Sequence, residues 1–306
     1  MKTGLVILGG GPAGLTAGMY AARARVPALL IEKGATGGQM AATEWIDNYP
    51  GNVEPVYGYE LAQRMESQAR KFGLEITNKD IVSVDKYSQG YALTDDSGMK
   101  VECRAVIVCT GALPVKLGIP GEKELVGKGV SYCAVCDGPF FRDIEVAVVG
   151  GGDSAVEEAV YLTRFATKVH LIHRRDKLRA VKEIQEKAFA NPNVIFHWNS
   201  VPTEIVGDTE VKVVKIKSTL DGSVIDLPVG GIFFYVGISP NNVPFKHLVN
   251  ADPAGFVITD DSMATSAPGM FAAGDIRSKI LRQVSTAVGD GAIAAFSAQH
   301  YLERNA

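Results

Sequence analysis

Short apolar runs, each closed by glycine or by charge, punctuate this chain. Leu5 to Leu8 form one such run and predict a buried parallel strand. A glycine-rich stretch follows, and then "LTAGMYAARAR" reads as a helix. The next apolar run, "PALLIEK", ends in Glu32. The same succession returns from Ile144. Val146 to Val149 predict a strand, glycines follow, a helical stretch comes next, and Val169 to Ile172 predict a second strand. Two further strand-like stretches are "VECRAVIVCTG" and "GMFAAGDI".

The glycines fall in a defined order. Residues 9 to 14, "GGPAG" preceded by Gly9, place Gly9, Gly11 and Gly14 on the pattern G-x-G-x-x-G. The first glycine permits a tight strand-to-helix turn, the second lets backbone N–H groups approach a pyrophosphate, and the third lets helix and sheet pack closely. The positive end of the helix then faces the phosphates. Glu32 closes the second strand about 20 residues on, where a carboxylate binds ribose hydroxyls. This unit suits a dinucleotide with a free ribose hydroxyl, such as FAD or NAD.

The second unit carries Gly150, Gly152 and Ala155 on G-x-G-x-x-A, with Asp153 and Ser154 between. It ends differently, in His173-Arg174-Arg175, with Arg179 shortly after. A carboxylate there would repel a 2′-phosphate, whereas arginines bind it by forked, charge-assisted hydrogen bonds. Asp176 is a competing partner for either arginine. The second nucleotide is therefore expected to be NADPH, and a flavin beside a nicotinamide site is a combination that moves hydride.

Composition narrows the class further. The chain has 306 residues, 46% of them hydrophobic, and room for two domains. A net charge of −3 gives no basic surface for nucleic acid or anionic lipid. The N-terminus superficially resembles a signal peptide, but its apolar run is shorter than a signal core. No run of about 18 apolar residues predicts a transmembrane helix. A cytoplasmic protein is expected.

Of the four cysteines, Cys103 and Cys109 lie in a strand-like stretch and read as small apolar core residues. Cys133 and Cys136 are spaced C-x-x-C in "SYCAVCDGPFF". That spacing is open to three readings: half a zinc site, a structural disulfide, or a redox pair. Zinc needs two further ligands, and none of the five histidines forms a zinc-like cluster with a cysteine in sequence. Inside a cell, a disulfide is usually catalytic or sensing. Asp137, beside the pair, would have its pKa raised by a neighbouring thiolate and by burial, and would suit proton transfer. A simple turn role for Asp-Gly-Pro is the alternative.

Together these residues resemble the low-molecular-weight thioredoxin reductases. The resemblance spans essentially the whole chain and keeps its order: GGGPAG, TGGQM, WIDNYPG, CTGA, CAVCDG, GGGDSA, HRRD, GISPN, FAAGDI and RQVSTAVGDGAIAA. It implies an α/β fold of two Rossmann-like domains of the three-layer ββα type, with the NADPH domain inserted in the FAD domain. The expected boundaries are 1–113 and 242–306 for FAD and 114–241 for NADPH with the C-x-x-C pair. By position, the FAD contacts are Gly9, Gly11, Pro12, Ala13, Gly14, Glu32, Lys33, Gly37, Gly38, Gln39, Asn48, Thr110, Gly111, Ala112, Gly274, Asp275, Ile276, Arg282, Gln283 and Val284. The NADPH contacts are Gly150, Gly152, Asp153, Ser154, Ala155, His173, Arg174, Arg175 and Arg179.

The resemblance also implies the chemistry. Hydride passes from NADPH to FAD, reduced flavin opens a Cys133–Cys136 disulfide, and the dithiol reduces a thioredoxin or thioredoxin-like protein. Cys136 is then the flavin-proximal sulfur, Cys133 the interchange thiol, and Asp137 the acid–base group. The NADPH domain rotates about its two linkers to alternate the partners of the flavin, and the family forms homodimers. Two other functions fit parts of the pattern. One is a non-catalytic redox sensor that keeps its nucleotides for structure. The other is the flavoprotein reductase of a different thioredoxin-like or peroxide-reducing partner. The peroxide-system flavoproteins normally carry an extra N-terminal dithiol domain, which is not expected here, and ferredoxin-type NADP reductases of similar fold lack the cysteine pair.

Overall fold

The computed structural model describes residues 2–43, 45–46 and 48–305, with the backbone alone for Trp45, Val135 and Cys136. The chain divides into two compact units, Met1–Leu113 with Ser239–Ala306, and Pro114–Ile238. The second crossing lies at Ile238/Ser239, so residues 239–241 fall in the first unit.

The first unit is built on a seven-stranded sheet. Its order is Glu75–Asn78, Ala28–Glu32, Lys2–Leu8, Lys100–Val108, Gly90–Asp95 and Ile81–Tyr87. The first four strands run parallel, and the last two join antiparallel. Met270–Ala272 pairs in parallel with residues 106–108, beyond the point where Gly90–Asp95 leaves that strand. Strand period decides the layers. Leu5 and Ile7 face a core shared with Leu15, Ala17, Ala294 and Ala298 of the helices Pro12–Arg23 and Val284–Arg304. Val6 and Leu8 face the opposite core, with Val84, Leu93, Phe245 and Val257. All four strand residues are almost wholly buried. A run apolar on both faces is thus the signature of a central strand, and each buried aliphatic side chain contributes roughly 1.5–3 kcal/mol.

The second unit repeats the logic with a different cover. A five-stranded parallel sheet has the order Val130–Ser131, Gly231–Tyr235, Glu145–Gly150, Lys168–Ile172 and Val194–His197. The helices Asp153–Leu162 and Lys182–Phe189 cover one face with Val146, Val148 and Leu171. The other face packs Ala147, Val149 and Ile232 against a three-stranded antiparallel sheet, Ser200–Val206, Val213–Ser218 and Val224–Pro228. Each unit is therefore a layered α/β body in which one central parallel strand, Lys2–Leu8 or Glu145–Gly150, runs into a glycine loop. No described helix is long and apolar enough to cross a membrane.

Candidate active site

The glycine loop of the first unit is held at several points. Gly9 has φ +108° and lies so close to the Cys109 carbonyl that a Cβ would collide with it. A Cβ at Gly14 would collide with the Gly9 carbonyl, so strand and helix can approach this closely only at glycine. A Cβ at Gly11 would meet nothing within 4 Å. Gly11 is the N-cap of the helix Pro12–Arg23, with Pro12 at its start and no side-chain cap. The first-turn amides are left to an outside acceptor, in the geometry that suits a phosphate.

Glu32 reaches back into this loop. Its carboxylate accepts the Gly10 N–H at 2.6 Å and the Gly34 N–H at 3.1 Å. The Gly37 N–H donates to the Gly10 carbonyl at 2.8 Å, and the Gln39 amide donates to the Ala112 carbonyl at 2.6 Å. The Thr110 hydroxyl donates to the Asn241 carbonyl at 2.7 Å, and the Asn241 N–H to the Gly111 carbonyl at 3.0 Å. Gly38 lies beside Gly11. These residues of the N-terminal segment thus line one loop system, tied to the returning segment through Asn241. Lys33 is the exception, since its ammonium pairs with Asp80 at 2.6 Å.

The returning segment adds a second group. Gly274 packs against Ala13, and its N–H donates to Asp290 at 3.0 Å. Asp290 also accepts from Arg277 at 2.7 Å and Lys279 at 2.8 Å, with all three side chains mostly buried. Asp275 is half-buried, and its carboxylate accepts no hydrogen bond from the described residues. Burial pushes its pKa up, Lys279 and Arg282 oppose this, and Asp290 adds to it. An acceptor left open in this position suits a ligand hydroxyl. Arg282 lies over the Phe256 ring at 3.9 Å and donates to the carbonyls of Asp275, Arg277 and Lys279. Gln283 caps the helix Val284–Arg304 reciprocally with Thr286 and accepts from the Asn48 amide at 3.2 Å. Ile276 is fully buried.

In the second unit, Gly152 caps the helix Asp153–Leu162 without a side-chain bond. The Arg179 and Ala180 N–H groups both donate to the Gly151 carbonyl, at 2.7 and 3.1 Å. The Asp153 carboxylate accepts the Val181 N–H at 2.8 Å, while Ser154 is exposed and Ala155 is buried under the loop. His173 is buried, and a Cβ at Gly151 would strike its ring. Its Nε2 lies 3.0 Å from the Lys177 carbonyl. Burial lowers its pKa, opposed by bonds to the Lys177 and Gly150 backbone and aided by Arg179 and Arg174. His173 is therefore a neutral support beneath the loop. Arg174, Arg175 and Arg179 are exposed and pair with no described carboxylate, Asp176 included. Three unspent guanidinium groups beside an uncapped helix fit a 2′-phosphate.

The same unit carries the cysteine pair. Cys133 is half-buried and disulfide-bonded, which takes its sulfur out of any zinc thiolate set, while Cys103 and Cys109 are free and buried. Burial pushes both free thiols far above their ordinary range, so neither is nucleophilic. The Cys136 side chain lies outside the described residues. Residues Ala134–Asp137 form a short helix directly after Cys133, and Asp137 is half-buried with no described donor on its carboxylate.

Residues 3–291 match the family model described as pyridine nucleotide-disulphide oxidoreductase. The chain belongs to this family. A thioredoxin reductase of Listeria monocytogenes is 50% identical over 98% of this chain and 93% of its own length. One from Bacillus subtilis is 49% identical over 98% and 94%. Among solved structures, Lactococcus lactis thioredoxin reductase in its FR conformation matches with a TM-score of 0.95 at 46% identity, covering 99% of each chain. The enzyme from T. acidophilum matches with a TM-score of 0.91 at 32% identity, over 100% of this chain and 99% of that one. The α/β fold expected from the motifs is the fold of these relatives.

Several residues around this family site escaped the sequence reading. Asp290 sits in the quoted "STAVGDGAIAA", where one acid among small residues on a helix was the available signal. Ser131 and Tyr235 both touch the backbone around Cys133. Nothing local in the sequence marks Tyr235, since the backbone it touches is 101 residues away.

Proposed function

We propose that this oxidoreductase is a thioredoxin reductase that binds FAD in the first unit and NADPH in the second. In this reading it reduces the disulfide of a thioredoxin or thioredoxin-like protein through Cys133 and Cys136. The observation that carries it is the half-buried, disulfide-bonded Cys133. It lies in the unit whose glycine loop and unpaired arginines suit a 2′-phosphorylated nucleotide. The full-length similarity to thioredoxin reductases supports the same reading.

The open acceptor at Asp275, the uncapped helix at Gly11 and the placement of Glu32 fit a flavin dinucleotide in the first unit. When bound, FAD and NADPH supply hydride transfer. The chain's own residues do the sulfur chemistry. In the dithiol form, Asp137 takes the Cys133 proton, and the Cys133 thiolate attacks one sulfur of the partner disulfide. A mixed disulfide forms, the partner's sulfur–sulfur bond breaks, and the first partner thiolate leaves with the proton that Asp137 took from Cys133. Cys136 then attacks Cys133, the Cys133–Cys136 disulfide closes, and the second partner thiolate leaves with the second proton. Two electrons and two protons have passed to the partner. Rotation about the crossings near Leu113 and Ile238 is part of the proposal, as the means of bringing each group to its reactant in turn.

A reducing cytoplasm suits a disulfide that opens in every cycle. The exposed Tyr20, Ile293 and Phe296 on the helices Pro12–Arg23 and Val284–Arg304 support a homodimer through that face. The deciding assay is NADPH oxidation in the presence of oxidised thioredoxin. Cys133→Ser should abolish turnover while NADPH still bleaches the flavin. Full turnover by Cys133→Ser would remove the proposal, and a parent protein inert toward dithiol-reactive dye would favour a redox sensor.

A further inference from the structure

Tyr235 ends the strand Gly231–Tyr235, where it pairs with Gly150 of the second glycine loop. Its phenolic oxygen accepts the Ala134 N–H at 2.8 Å. Ala134 is fully buried and opens the short helix after Cys133. The same strand supports the other side of the cysteine, because Phe233 pairs with Ser131 in parallel register. The Cys133 N–H donates to the Ser131 Oγ at 3.0 Å, and the Ser131 hydroxyl donates to the Cys133 carbonyl at 3.2 Å. The Asp137 N–H closes the turn on that carbonyl at 3.1 Å. One rigid strand therefore fixes the backbone before and after Cys133 while Cys133 is in its disulfide.

We infer that Tyr235 is a positioning residue for the redox segment, whose phenolic oxygen stabilises the closed, disulfide-bonded form over the dithiol by holding the Ala134 N–H. The inference rests on the reading of Cys133 as the redox centre. In the closed form Ala134 is fully buried, which shuts its N–H off from bulk solvent, so the acceptor matters. In the dithiol the segment is released from the sulfur–sulfur bond, and the N–H can find solvent as Cys133 turns toward a partner. Loss of one buried acceptor is worth about tenfold in an equilibrium constant.

The test uses the full-length, flavin-loaded protein equilibrated with reduced and oxidised dithiothreitol. Two electrons and two protons pass from dithiothreitol to the protein sulfurs, and dithiothreitol closes to its ring disulfide. The fraction of Cys133 open to maleimide is then read by mass spectrometry. Tyr235→Phe keeps the ring and removes the acceptor. It should weaken the preference for the disulfide about tenfold, raising the potential by roughly 30 mV. Tyr91→Phe is the control. Its hydroxyl, buried in the first unit, donates to the Pro268 carbonyl at 2.8 Å. Its loss should lower stability and leave the Cys133 equilibrium unmoved.

A Tyr235→Phe equilibrium within twofold of the parent, or an equal shift in both variants, would overturn the inference. Hydrogen exchange on the parent gives an independent reading. The Ala134 amide should exchange at least tenfold faster after reduction, and equal protection in both forms would overturn it. A parent Cys133 that never opens to maleimide at any dithiothreitol ratio would instead sink the redox reading itself.

Discussion

Replacing Asp290 with Asn tests how the first unit holds its returning turn. Asp290 is 12% exposed and faces Arg277 at 13% and Lys279 at 10%. It also accepts the Gly274 N–H. The substitution keeps the shape and one carbonyl oxygen but removes the charge, leaving two mostly buried cations without a counter-ion. Breaking a buried pair from one side costs about 3–5 kcal/mol. Slight exposure of each cation admits water and argues for the lower end, about 3 kcal/mol. In a unit of this size each kcal/mol moves Tm by about 2–4 °C, so the expected loss is about 6–12 °C. Because Gly274 and Asp275 lie in the proposed flavin site, flavin release should precede or accompany unfolding. Thermal melts followed in parallel by flavin fluorescence and far-UV circular dichroism measure both. An Asp290→Asn protein that keeps its full flavin content and melts within about 1 °C of the parent would refute this account of the turn.

The other expectations concern the second unit. Substituting Ala at Arg174 and Arg175 should raise KM for NADPH roughly 100-fold and leave NADH unchanged, since charge-assisted bonds to phosphate are lost. An equal loss with both nucleotides would count against 2′-phosphate recognition. Asp137→Asn should slow thiol exchange by about 10²–10⁴-fold with little change in flavin reduction by NADPH, measured by stopped flow. Unchanged turnover would remove Asp137 from the proton path. Burial, with His170 adding, lowers the His197 pKa. The unfolded chain therefore binds a proton first as pH falls. The stability this group supplies is full above pH about 6.5 and is lost below it, as pH falls through the lowered folded value. His173 shifts in the same direction. Urea midpoints should thus fall from pH 7.5 to 5.5, and less steeply in His197→Asn. A flat parent profile would contradict the assignment.

What was legible in the sequence was local. Gly9, Gly11 and Gly14 span the step from a strand into the first turn of its helix, so their spacing alone announces the loop. Glu32 and the His173-Arg174-Arg175 run end the next strand, a fixed step further on, and their charge announces the nucleotide expected there. The apolar runs at Leu5–Leu8 and Val146–Val149 proved to be central strands buried on both faces. What was not legible depends on partners far apart in sequence. Tyr235 meets Ala134 across 101 residues, Asn48 meets Gln283 across 235, and Thr110 meets Asn241 across 131. Tyr235 reads as one more large residue in the apolar stretch "GIFFY", because periodicity reports which face a residue takes and not what its polar end touches. Asp290 was visible as an acid in a small-residue helix, but its two cations come from the preceding turn.

In the proposed cycle, electrons leave the protein through Cys133. The most direct test is anaerobic titration of the purified, flavin-loaded protein with NADPH, followed by addition of oxidised thioredoxin. The parent should take up more than one hydride equivalent per flavin, Cys133→Ser should lose the excess, and added thioredoxin should restore the oxidised flavin spectrum. Uptake that stops at one equivalent in the parent, with thioredoxin left oxidised, would contradict the proposed cycle.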